Sequence, residues 1–129
     1  MFYAWPIAVK QENVETKKAI IDMPMSSGII HQVDIMFPDT ADHNIRVQIF
    51  DASFQLWPSN RNGTVRGDAA VVSFRDFYEM RADNNVLKGV AWGIGGADTI
   101  TIWIHIGVLP RSVLQPFSLA ELLRAVQRA

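Results

Sequence analysis

The chain's three histidines, His31, His43 and His105, carry its most versatile chemistry, since each can ligate a metal or move a proton near neutral pH. Metal sites draw their ligands from close spacings or convergent strand positions, and only His31 and His105 sit on segments that can become neighbours. A hydrogen-bonded or solvent-facing role is the stronger reading of both. His43 shares a loop with Asp39 and Asp42, but the spacing matches no calcium motif, and solvated loop charges account for it. Gly93-Ile94-Gly95-Gly96 has the composition of a phosphate-cradling loop. Such loops open a helix, whereas a strand pattern follows here, so a glycine-rich hairpin fits better. No serine sits in a nucleophile elbow, and no carboxylate pair is placed for acid and base work. The expectation is a protein that is not an enzyme, with no catalytic, metal-binding or cofactor-binding residues.

Two tripeptides have formal meanings. Asn62-Gly63-Thr64 is a glycosylation acceptor and Arg66-Gly67-Asp68 is the sequence integrins read, yet the first is read here as a tight turn and the second as a bend between strands. Trp57, Trp92, Trp103 and Tyr78 remain as possible stacking platforms for sugars. Trp103 is the best placed of them, but aromatic residues of a sheet are more often core or oligomer contacts.

The elements that would position these residues are strands. Ile100, Ile102, Ile104, Ile106 and Val108 recur at every second position, the period of a strand with one buried face, and Thr99, Thr101, Trp103, His105 and Gly107 fall on the other. Similar alternation predicts strands over Val14 to Met23, over Gly28 to Phe37 with Ile29, Val33, Ile35 and Phe37 sharing a face, over Ile45 to Phe50, and over Phe54 to Trp57. One or two more are expected over Val65 to Phe74 and another over Val86 to Trp92, while Arg75 to Asp83 is open between a strand and a helical turn. About eight short strands at this spacing give an all-β class, an antiparallel β-sandwich of one domain over 1–129, with its strands over 14–109.

The two ends differ from the middle. Residues 1–13 begin with Phe2, Tyr3, Trp5 and Pro6 and read as an extended N-terminal arm. Over 117–129, Ser118 and Glu121 make a capping box, and Leu119, Leu122, Leu123 and Val126 form one stripe of a short amphipathic helix. The candidate assembly interface is therefore Phe2, Tyr3, Trp5, Trp103, Leu119, Leu122, Leu123 and Val126.

Twelve Lys and Arg against thirteen Asp and Glu leave a net charge of −1, scattered along the chain, which provides no electrostatic footprint for nucleic acid or an anionic membrane. With no cysteine, disulfides, thiolate zinc sites and cysteine nucleophiles are excluded. The first residues have neither the cationic start nor the apolar run of a signal peptide, and no segment approaches the length of a membrane span.

The phrases Gly28-Ile29-Ile30-His31-Gln32-Val33, Leu56-Trp57-Pro58-Ser59-Asn60 and Gly107-Val108-Leu109-Pro110 resemble small jelly-roll-like proteins of tailed phages and related mobile elements, virion components such as capsid decoration proteins. The resemblance implies a jelly-roll sandwich, a non-catalytic structural role, and binding as a homo-oligomer, commonly a trimer, to a capsid or tail lattice. Its partner would be a protein such as a major capsid protein, and its location the virion, assembled in the host cytoplasm. The alternative is a carbohydrate- or receptor-binding β-sandwich. A cupin-like enzyme is a third possibility that the missing histidine and carboxylate cluster argues against.

Overall fold

The computed structural model describes residues 1–80, 85–93 and 99–110; the expected helix at 117–129, with Leu119, Leu122, Leu123 and Val126, lies outside the described residues, as does the glycine run beyond Gly93. The alternating pattern becomes eight strands: β1 (Phe2–Val9), β2 (Ala19–Met25), β3 (Gly28–Phe37), β4 (Arg46–Asp51), β5 (Phe54–Trp57), β6 (Ala70–Met80), β7 (Asn85–Trp92) and β8 (Ile100–Leu109). They form two four-stranded sheets, ordered β1-β8-β3-β6 and β2-β7-β4-β5, and every neighbouring pair is antiparallel.

The arrangement is a β-sandwich-like all-β fold whose core lies between the inner faces of the sheets. On β8, Ile102, Ile104, Ile106 and Val108 are fully shielded from water, with Ile7 and Val9 of β1 and Val33 and Ile35 of β3 beside them. Met23, Val47, Ile49 and Leu87 complete the cluster from the second sheet. Gly89, in the middle of β7, lets the layers approach closely: a Cβ there would lie 3.1 Å from Ile104 Cδ1 in the opposite sheet and 3.0 Å from Ile21 Cγ2. Burial of each large aliphatic side chain stabilises by roughly 1.5 to 3 kcal/mol, so this stripe is a principal term in holding the layers together.

Several expectations need correction. Strand β3 carries a bulge between Ile30 and Gln32, with His31 the extra residue against β8, while on β6 both Asp76 and Phe77 fall across from it. The bulge flips the alternation, so Ile30, and not Ile29, shares the inner face with Val33, Ile35 and Phe37. The outer surface accommodates the bulge at Gly107, where a Cβ would come within 2.9 Å of His31 Nε2 and 3.2 Å of the Phe2 ring. Strand β2 starts at Ala19 and not at Val14, because 10–18 forms a polar loop with turns at Asn13 and Lys17. Val65 makes only an isolated bridge to Val47, and the strand expected over Val65 to Phe74 runs instead from Ala70 to Met80, so the open segment after Arg75 is strand as far as Met80. Residues 2–9 of the expected N-terminal arm are edge strand β1, paired with β8 from Phe2 opposite Gly107 to Val9 opposite Ile100.

Replacing Ile104 by Ala should lower unfolding free energy by about 2 to 5 kcal/mol, since it leaves a void between two sheets. Thr101→Asp, on the exposed face of the same strand, should stay within about 0.5 kcal/mol of wild type. Denaturant melts checking both would refute the facing assignment if the two losses were equal.

Candidate functional site

Strand register brings distant residues into rows across the outer face of the β1-β8-β3-β6 sheet. Pro6 lies opposite Trp103, Trp103 opposite Met36, and Met36 opposite Val71, one residue from each strand. At about 4.8 Å between strands this row is roughly 14 Å long. Trp103 keeps 42% of its surface exposed and Val71 52%, and Met36 is exposed as well. The next row, Ala4, His105, Asp34 and Ser73, is polar towards its centre, and Gln32 Nε2 donates to Asp34 Oδ1 at 2.9 Å. Phe2 and Phe77 are further exposed aromatics of this sheet.

Of the residues expected at an assembly interface, Phe2 and Trp103 therefore point outward. Tyr3 and Trp5 occupy the inward positions of β1, stack at 5.2 Å with their planes 3° apart, and pack against the core. The Tyr3 hydroxyl and Ser26 Oγ are 2.7 Å apart, which ties β1 to the turn between β2 and β3. Alternation along the strand explains the division, because odd-numbered residues of β1 face in and even-numbered ones face out.

The opposite side of the molecule, where β5 and β6 are the sheet edges, is closed by Trp57, Phe74 and Tyr78. Trp57 Nε1 donates to Asp76 Oδ2 at 2.8 Å, and the Tyr78 hydroxyl donates to Asp51 Oδ2. Both bonds join one sheet to the other, so each aromatic body seals the core while its polar tip reaches a carboxylate at the rim. Burial, then the hydrogen bond and the negative charge of Asp51, push the Tyr78 hydroxyl up to about 12.

The outer face of the β2-β7-β4-β5 sheet is partly roofed. Gln48, Val90 and Trp92 occupy outward positions by alternation, yet all three are buried, Gln48 to the point of 5% exposure. The loop at 58–63 covers one side: Gln48 Nε2 donates to Gly63 O at 2.8 Å, Gln55 Nε2 donates to Pro58 O at 2.7 Å, and Gln55 Oε1 accepts from Asn62 N at 3.2 Å. The loop at 10–18 covers the other, with Asn13 O accepting from Gly93 N at 2.9 Å and Lys18 Nζ lying 4.3 Å from the centre of the Trp92 ring. Between them is a cleft of about 560 Å³, lined by Phe50, Phe54, Gln48, Gln55, Arg61 and Glu15 among others. Sequence reasoning missed this site. Its lining comes from two loops, the β4–β5 turn and side chains of β4, β5 and β7, and the only local signal was the polarity of the loops.

The remaining motifs are placed by local structure. Among the described residues no three of His, Asp and Glu gather where they could hold a metal ion, and no helix is long and apolar enough to cross a membrane. Asp42 and His43 take left-handed backbone angles, and the Asp68 carboxylate accepts from Asp42 N at 3.0 Å, so Arg66-Gly67-Asp68 braces the loop at 39–43. Asn62 is also left-handed, in a turn where Gly63 N donates to Asn60 O at 2.8 Å. No family model matches the chain, and no match to a curated protein sequence reaches significance.

The Tyr78–Asp51 bond predicts an alkaline weakness. The fold holds the neutral phenol, so the unfolded chain ionises first, near its ordinary value of about 10. Stability from this residue is intact below that pH and is lost as pH rises towards 12. Tyrosinate absorbance should show one of the two tyrosines ionising late, and Tyr78→Phe should remove that late step. Persistence of the step in the variant would assign it elsewhere.

Proposed function

We propose that this protein is a non-catalytic assembly module, a virion decoration or auxiliary component that docks on a capsid or tail lattice as a homo-oligomer, with trimer the favoured state and a major capsid protein as partner. The observation that carries the reading is the row Pro6, Trp103, Met36 and Val71, an apolar band on an outer sheet face. Aromatic and methionine side chains are enriched at such contacts.

The jelly-roll reading is supported by strand order. The pairs β1·β8, β2·β7, β3·β6 and β4·β5 are those of one long eight-stranded hairpin, and the joins β8·β3 and β7·β4 are those made when such a hairpin is wrapped into two layers. Viral capsid and lectin domains both use this architecture. The sequence resemblance to small phage virion proteins selects the first, with the virion, assembled in host cytoplasm, as the location. The balanced charge argues against nucleic acid or an anionic membrane as partner. A carbohydrate- or receptor-binding module is the second reading, favoured by the cleft on the other sheet.

Light scattering should find the wild type larger than a single chain. Val71→Lys combined with Trp103→Lys should reduce it to monomer and abolish capsid binding, with circular dichroism unchanged. Ile20→Lys, an exposed position on the other sheet, should do neither. A wild-type monomer that also failed to bind capsids would sink the reading.

A further inference from the structure

We propose that the cleft on the outer face of the β2-β7-β4-β5 sheet binds a short acidic oligosaccharide. The site goes beyond the assembly reading and is independent of it, because the apolar row lies on the outer face of the other sheet. Its volume of about 560 Å³ falls within the range of small-ligand sites.

The lining selects the ligand class. Asn62, Ser53 and Ser59 are neutral groups that both donate and accept hydrogen bonds, which suits hydroxyl-rich ligands better than purely ionic ones. Gln48 and Gln55 are already fixed by bonds to the backbone of the loop at 58–63, so the polar floor is organised before any ligand arrives. Phe54 lines the cleft with 68% of its surface exposed, a large apolar cost unless something stacks on it, and the C–H face of a sugar ring is such a surface.

Charge then narrows the class. Arg61 and Lys18 stand against Glu15 and leave a net single positive charge; Lys18 is held over the Trp92 ring, and Arg61 has the planar fork of N–H donors that fits a carboxylate. A nucleotide would bring several phosphate charges beside Glu15 into a cleft whose net charge is a single positive one. An extended peptide strand would pair with the backbone along a sheet edge, whereas this cleft lies on the sheet face, over side chains of β4, β5 and β7 and between two loops. A singly charged sugar such as a uronate meets all three features, with its carboxylate on Arg61, its hydroxyls on Asn62, Ser53, Ser59 and Glu15, and its ring on Phe54.

The test is binding of the full-length protein to a panel of immobilised short oligosaccharides, uronate-containing and sialylated chains together with neutral ones, read by biolayer interferometry. The wild type should capture at least one acidic member. Phe54→Ala and Arg61→Gln, both at exposed positions, should each weaken that capture by about tenfold or more. Val86→Ala, at an exposed position that neither lines the cleft nor belongs to the apolar row, should leave it unchanged, and carboxyl reduction of the captured glycan should weaken it as Arg61→Gln does. Capture of no glycan, capture indifferent to Phe54 and Arg61, or equal capture of the carboxyl-reduced form would overturn the proposal. A monomeric protein that bound no capsid yet still captured the glycan would overturn the assembly reading and leave this one standing.

Discussion

Exclusion of water from the β-branched stripe on β8 is the constraint on which the other features depend. Ile102, Ile104, Ile106 and Val108 sit in an interior strand of their sheet, so their shielding requires β1 and β3 on either side and a complete second sheet in front. Residues from both ends of the described chain must therefore meet before the stripe is dry. Of the neighbouring pairs, only β4 and β5 are consecutive in sequence. Such a fold closes large loops before its contacts stabilise it, which makes the strength of the stripe a condition of folding at all.

A two-layer fold must also close its sides, and the two sides use aromatic residues in different ways. Along β1 and β2, Tyr3 and Trp5 stack flat against the end of the core and hold the neighbouring turn through one hydroxyl contact. Along β5 and β6, Trp57, Phe74 and Tyr78 meet at tilted and edge-on angles, and two of them bond to carboxylates. The second closure joins the layers by directional bonds as well as burial. It is also the one that depends on protonation, because the Tyr78 phenol donates to Asp51 only while it is neutral.

Period-2 patterning made β8 and β4 legible in the sequence because each has one apolar set that meets the core. It misplaced the faces of β3 because Ile29 and Ile30 are chemically alike, and nothing in that pair announces that His31 will bulge. It ran β2 too early because Val14 looks like a strand start, although the polar run from Glu15 to Lys18 folds as a loop. The aromatic start was legible as apolar surface seeking a partner, but which residues face inward depends on registration with β8, about a hundred positions away in sequence. The cleft was illegible for a similar reason: Gln48 and Trp92 sit at outward positions of their strands, and their burial comes from loops that periodicity does not place.

The two outer faces have opposite characters, and the loops are the cause. Loops at 10–18 and 58–63 fold across the β2-β7-β4-β5 sheet, and their amide and backbone bonds turn an outward surface into a walled, polar cleft. Across the β1-β8-β3-β6 sheet, Trp103, Met36 and Val71 remain open to solvent and form a band only because register aligns them. A walled polar site suits a small ligand that must be oriented, while an open apolar band suits a broad surface that need only be covered. The division follows from loop placement on a common framework of strands. It leaves one outer face walled and polar and the other open and apolar, with the core between them the same for both.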